Sequence, residues 1–456
     1  MRTLITVLLL ICPLAILAQE QEHSYSLEEA VAYALTHNYS AINADRDIVD
    51  AQKQKWETIA TGLPQINAAV NYQNQLKQVQ AQFPSILVPE QFLPAGVVQS
   101  PETFVPIIFG QPQQITASGT LTQQIFDGSY IVGVQATKTF LNFSQNSKEK
   151  TSLEVQKAVV EAYGNVLLAK ESVAILEKNK ETLEKNLYET KKIYENGLGD
   201  QESVDQLQIT ASSINSQLKN AKRLEKITVQ MLNLVMGIPI DETTILTENL
   251  DVLTQKQIDF NLIDADLTIE NNVDYKLATN LNEQRYFELK LAKSRALPTL
   301  NAFINYGAVS YGDTFSFLDQ GQDYFGFSTF GVDLNIPIFS SFRRSASTQR
   351  AKIAYDKAKT QLTETQQQIK LQVEGAKSNY TLAIEEYETA KQNLSLAKRI
   401  ENKNQIKYTE GLATSFELRQ AQIQLYASQQ EYLQSMVSVI NNKTILEGIL
   451  NQKIQK

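Results

Sequence analysis

His23 and His37 are the only imidazoles in the 456-residue chain, and Cys12 is its only thiol. A zinc or catalytic centre built on nitrogen and sulfur needs three or four such ligands converging. Two histidines near one terminus do not supply them. Without a further histidine no Ser-His-Asp or Cys-His set can be assembled. Gly197-Leu198-Gly199 lacks the third glycine and the preceding strand of a dinucleotide fingerprint. The acids outnumber the bases, 50 Asp and Glu against 42 Lys and Arg, for a formal charge of -8. That balance excludes the basic footprint of a nucleic-acid binder. The sequence therefore predicts no catalytic residues, no metal and no cofactor.

The elements that remain are those of an exported chain. Arg2, the apolar run Leu4 to Leu17 and small Ala18 before Gln19 read as a secretory leader over residues 1–18. Its loss removes Cys12, so disulfides and thiolate sites are excluded. No later stretch has 18 consecutive apolar residues, so no transmembrane helix is expected. A soluble chain, a surface-attached one and a closed β-barrel remain, since lipid admits only helices and closed barrels.

The mature chain repeats its plan. Leu63-Pro64-Gln65-Ile66-Asn67-Ala68 returns as Leu297-Pro298-Thr299-Leu300-Asn301-Ala302. Ile125-Phe126 returns as Ile338-Phe339, and Tyr194-Glu195-Asn196-Gly197-Leu198 as Tyr408-Thr409-Glu410-Gly411-Leu412. The division this implies is a first repeat over 19–240, a linker over 241–268 and a second repeat over 269–456. Each repeat holds a helix, two strands, a long helix and a return helix. Ser26 and Glu29 make a capping box opening a helix that the pattern carries to about Thr61; its counterpart covers roughly 270–296.

After each Leu-Pro the period changes to two. Ile66, Ala68, Val70 and Tyr72 alternate with Asn67, Ala69, Asn71 and Gln73, and Phe330, Val332, Leu334 and Ile336 with Asp333 and Asn335. Such segments are either barrel strands or an ordinary half-buried sheet. The first connecting loop, with Pro84, Pro89, Pro94, Pro101, Pro106 and Pro112, is denied a helix or central strand. The second is rich in tyrosine and phenylalanine, which suits either an interfacial girdle or a core.

The long helices carry heptads. Val155, Ala162, Ala169, Leu176 and Leu183 are seven apart, as are Ile369, Ala376, Ala383, Ala390 and Ala397. A sustained heptad predicts supercoiling, and about 68 residues would span on the order of 100 Å. The glycines of both turns suit the left-handed C-cap conformation.

The order of Ser26-Leu27-Glu28-Glu29-Ala30 through Asn38, the two Leu-Pro helix ends and the two Tyr-x-x-Gly-Leu turns resembles the TolC-like outer-membrane efflux protein family. The resemblance implies an α+β membrane protein. Four strands from each protomer of a homotrimer would close a 12-stranded transmembrane β-barrel in outer-membrane lipid, continued by a coiled-coil α-helical barrel. It implies a passive conduit for efflux or type I secretion, docked on a periplasmic adaptor (membrane fusion) protein and an inner-membrane RND or ABC transporter. The docking tips would be Tyr194, Gly197, Leu198, Tyr408, Gly411 and Leu412, which are helix C-caps in any case. A periplasmic gate would fall at Glu417 and Gln420, and Glu417 is equally well read as a solvated helix carboxylate. Relatives can tie the tips with an arginine and an aspartate where this chain has Ala413 and Ser203. The reading from another class is an exported coiled-coil scaffold or adhesin, which explains the helices but not the duplicated strand segments.

Overall fold

The structure, a computed structural model, describes residues 23–451; the leader expected over 1–18 lies outside them. In chain order the elements are β1 (His23–Tyr25), α1 (Leu27–His37), α2 (Tyr39–Ala60), β2 (Gln65–Asn74), β3 (Gln80–Pro84), β4 (Phe104–Ile108), β5 (Gln113–Asp127), α3 (Gly128–Glu195) and α4 (Gln201–Met236). They continue with β6 (Thr244–Leu246), α5 (Leu250–Lys256), α6 (Asn261–Asp264), α7 (Val273–Ser294), β7 (Thr299–Gly312), β8 (Phe325–Asn335), α8 (Arg343–Thr409) and α9 (Ser415–Leu450). Among the described residues no helix is long and apolar enough to cross a membrane. Two compact units result: Asp50–Asn142 with Asn280–Thr360, and the remainder.

The helical unit is built on α1, most of α3, α4, most of α8, and α9. The Ser26 box opens α1: Ser26 N–H donates to Glu29 Oε2 at 2.8 Å and Glu29 N–H to Ser26 Oγ at 3.3 Å. Ala30 and Ala34 then lie wholly buried, in one core with Val159 and Tyr163 of α3 and Leu232 and Met236 of α4. The single helix expected as far as Thr61 is in fact two. Asn38 is extended, with ψ 137°. Its Nδ2 donates to Val235 O at 2.7 Å and its Oδ1 accepts the Ser40 N–H at 2.7 Å. A side chain recruited by α4 thus stops one helix and caps the next.

The segment after α4 is pinned to the bundle. β6 pairs in parallel with β1. The Tyr380 hydroxyl of α8 donates to Gln257 O at 2.6 Å and accepts from Asp259 N–H at 2.9 Å. Lys377 donates to Ala265 O at 2.8 Å. Burial pushes the Tyr380 phenol up to about 12, so it keeps the proton this bridge requires.

The other unit carries one antiparallel four-stranded sheet, in the order β2-β5-β7-β8. Its register aligns the side chains in rows. Ile66, Leu121, Ile304 and Phe330 form one row, and Ala68, Gly119, Tyr306 and Ser328 the next but one along the strands. The row between them belongs to the opposite face: Asn67, Thr120, Asn305 and Thr329. One face is thus mainly apolar and the other mainly polar, as alternation in an antiparallel sheet requires. Across the four strands the only charged residues are Asp127 and Asp333. On the polar face the Phe303 ring lies over Gly331, where a Cβ would come within 2.4 Å of a ring carbon.

The proline-rich excursion between β2 and β5 is not wholly irregular. It contains a two-stranded ribbon, β3 with β4, in which Pro84 faces Phe104 and Pro106 faces Gln82. A ribbon has only edges, so proline is tolerated there. Buried Ser85 ties it together, its hydroxyl accepting Ser100 N–H at 2.8 Å. From the second loop Phe315 and Phe317 meet the Tyr72 ring edge-on, at 5.4 and 6.0 Å between centroids.

Candidate functional site: the paired helical tips

Both long helices end in the same way. Gly197 has φ 73° and Gly411 φ 70°, the left-handed region that favours glycine. Leu198 N–H donates to Ile193 O at 3.1 Å and Leu412 N–H to Lys407 O at 2.7 Å. Each glycine N–H reaches the tyrosine carbonyl three residues back. This is the Schellman closure. Leu198 and Leu412, which follow the glycines, are exposed, and so are both glycines, with nothing within 4 Å of an added Cβ. Asp200 caps α4 by accepting Ser203 N–H at 2.6 Å. Thr414 caps α9 by accepting Glu417 N–H at 3.2 Å.

The two tips are joined by neutral side chains. Asn186 and Gln405 exchange two amide bonds, at 2.8 and 3.1 Å. The Tyr408 hydroxyl meets Thr190 Oγ1 at 2.5 Å. Ser203 Oγ lies 2.9 Å from Ser415 Oγ. So of the two tyrosines at matching places, Tyr408 is half-buried and bonded while Tyr194 stands exposed. Ser203 thus bridges the two hairpins through its hydroxyl. Half of this pattern was readable: Asn179 and Asn186 lie seven apart, and Thr190 interrupts an apolar heptad line. Their partners on α8 and α9 carried no such mark.

Glu417 is held in a second capping box. Its Oε2 accepts Thr414 N–H at 2.8 Å and the Thr414 hydroxyl at 3.1 Å. Those two bonds, the backbone one first, hold the carboxyl below its ordinary range. The Thr-x-x-Glu spacing announces this box in the sequence. Gln420, one turn further on α9, is exposed.

A half-buried titratable group lies deeper between the hairpins. Glu401 of α8 lines a cavity of about 470 Å³ with Tyr426 of α9 and Asn179 of α3. Burial pushes the Glu401 carboxyl up, and the Gln422 amide pulls it partly back. A carboxyl raised in the folded state binds its proton more tightly there. It therefore costs stability above the unfolded value, and the cost vanishes as pH falls below that value. Glu401→Gln is expected to raise the melting temperature at neutral pH and to leave it unchanged near about pH 4, as read by thermal melts at both pH values. An equal rise at both would contradict the assignment.

Among the described residues no group of three or more His, Cys, Asp or Glu is placed to hold a metal ion. Residues 269–452 match the family model described as outer membrane efflux protein. Among curated proteins no match is found. Solved structures do match along nearly the whole chain. The outer membrane protein VceC from Vibrio cholerae is 17% identical, covers 93% of this chain and 95% of its own, and has a TM-score of 0.69. The CmeC outer membrane channel from Campylobacter jejuni is 17% identical over 93% and 85%, with a TM-score of 0.71. The MtrE outer membrane channel from Neisseria gonorrhoeae, solved in its open state, is 16% identical over 93% and 88%, with a TM-score of 0.70. What these identities share is the fold.

Proposed function

We infer that this chain, whose residues 269–452 match the outer membrane efflux protein family model, belongs to that family and is the outer-membrane channel component of an efflux system, and that it is not an enzyme. The observation that carries this reading is the sheet. Its apolar face is open: Ile66, Val70, Tyr306, Phe330 and Leu334 are all exposed, Phe330 by 71%. Exposed apolar rows of this extent are paired with an almost uncharged polar face, the pattern of lipid outside and water inside. From Leu300 to Ser310 is about 34 Å of strand, which at a tilt near 40° gives roughly 26 Å of height, close to the apolar band of a bacterial barrel.

Four strands leave β2 and β8 as edges, with backbone groups that lipid cannot satisfy. Closure by copies of the same chain, β8 of one beside β2 of the next, removes those edges. A homotrimer with a 12-stranded barrel and periplasmic helices is the arrangement proposed, after removal of the leader. The paired tips would meet a periplasmic adaptor, which couples the channel to an RND or ABC transporter in the inner membrane. With Glu417 committed to its cap and Gln420 neutral, the entrance is held by the uncharged pairs Asn186–Gln405, Thr190–Tyr408 and Ser203–Ser415 rather than by ion pairs. The scaffold or adhesin reading gives the apolar sheet face no role.

The test is conductance of the purified protein in planar bilayers. Discrete openings support the reading, and a folded, membrane-inserted protein that never conducts overturns it. A docking prediction goes with it. Gly411→Trp places a large side chain into open space at the tip, at a strain cost of about 1–2 kcal/mol. Efflux-dependent drug resistance is expected to fall with the amount in the outer membrane unchanged. Undiminished resistance would remove Gly411 from the docking surface.

A further inference from the structure

The connection between β8 and α8 breaks two local rules within four residues. Ser341 and Phe342 have φ 47° and 62°, a region that a bulky L side chain avoids. Arg343 and Arg344 open α8 with no acid in its first turn, against the helix macrodipole. Within the chain Arg344 donates to Ile338 O at 3.2 Å, but the apolar side chains of the turn stay open. Ile338, Phe339 and Phe342 are 88, 76 and 78% exposed, and the two phenyl rings meet each other edge-on at 6.1 Å. Rule-breaking of this kind marks a place where the compensating contact lies outside the chain.

Two observations say what that contact is. The apolar alternation Phe330, Val332, Leu334, Ile336 runs on into Ile338, so the turn continues the open apolar face of the sheet. In the segments that flank β7 and β8 at this end the charges are all of one sign, although Asp127 of β5 lies opposite Thr299. Thr299 pairs with Asn335, which brings the end of α7 beside the start of α8. From 290 to 298 and from 336 to 352 there are seven Lys and Arg and no acid. At the opposite end of the sheet, loops 75–112 and 313–324 hold one lysine and five acids. The matching turn of the first half, Phe126-Asp127-Gly128, has an acid instead, capping Ser129 N–H at 2.6 Å.

We propose that the β8–α8 turn, with the basic end of α7, is a docking surface for acidic phospholipids of the periplasmic leaflet, the phenyl rings among acyl chains and Arg343, Arg344 and Arg295 at the headgroup phosphates. This rests on the membrane-spanning reading of the sheet. Arginine carries the binding because its planar fork matches phosphate oxygens. Each basic residue near an anionic surface contributes about fivefold in binding constant.

The experiment is native mass spectrometry of the full-length mature protein in neutral detergent, with equal dioleoyl-phosphatidylglycerol and dioleoyl-phosphatidylcholine. The wild-type protein is expected to retain phosphatidylglycerol preferentially. R343Q/R344Q should weaken it about 30-fold and leave phosphatidylcholine unchanged. R343Q alone, at an exposed position that cannot unfold the turn, should cost about fivefold. F342G, which relieves the left-handed strain, should weaken both lipids. No preference in the wild type, or a preference that survives R343Q/R344Q, overturns the proposal. Conductance in bilayers of uncharged phosphatidylcholine tests the channel reading separately, and its failure would not be mistaken for this one.

Discussion

Phe330→Arg is expected to remove the protein from the outer membrane, while Thr329→Arg, one residue earlier on the same strand, is expected to be tolerated. Phe330 lies in the third of six apolar rows, beside Ile304, near the middle of the proposed lipid band. An arginine facing lipid there costs about 2–4 kcal/mol in each copy, and three copies would consume much of the roughly 5–15 kcal/mol that holds a folded protein. Thr329 lies on the polar face, opposite Asn305, where a cation would face water. Quantifying both variants in purified outer membranes, with heat-modifiable mobility on gels as the sign of folding, separates the faces. Equal loss, or equal tolerance, would mean that the sheet does not stand in lipid with that face outward.

Gly237→Ala is expected to disable folding of the helical unit. Gly237 closes α4 with φ 81°, and an added Cβ would come within 2.2 Å of His37 O and 2.7 Å of its carbonyl carbon. Both atoms are backbone at the end of α1, held in place by the Asn38 bond to Val235, so they cannot swing aside as a side chain would. Left-handed strain alone costs about 1–2 kcal/mol, and the overlap takes the total to about 4 kcal/mol. A sharp fall in folded protein, with degradation in the periplasm, is the expected result of pulse-chase labelling. Wild-type levels would show that the α1–α4 junction is looser than this contact implies.

These predictions draw on features the sequence displayed unevenly. The capping box at Ser26, the strands after each Leu-Pro and the left-handed glycines at 197 and 411 were legible because each is a local rule with a local cause. The buried alanine line from Ala376 to Ala397 was legible for the same reason, since a heptad needs only its own spacing. Its companion on α8, wholly buried Tyr380, was not legible, because its burial depends on Gln257 and Asp259, far along the chain, which satisfy its hydroxyl. The break at Asn38 was missed because its cause is Val235, 197 positions away. The parallel pair β1 with β6 was missed because three-residue strands are too short to show a period. At the tips the glycines, leucines and Tyr194 stand exposed, but the hydroxyl of Tyr408 is engaged with Thr190. The box that occupies Glu417 is written in Thr414-x-x-Glu417, a local spacing that decides between the solvated carboxylate and the gate in favour of a cap.

The two faces and two free edges of one sheet carry the whole account, and the most direct measurement is the mass of the protein extracted from purified outer membranes in mild detergent, corrected for bound detergent. A closed barrel requires a particle of three copies that leaves the membrane only with detergent. A monomer or dimer released by carbonate without detergent would contradict it, because β2 and β8 would then close no barrel.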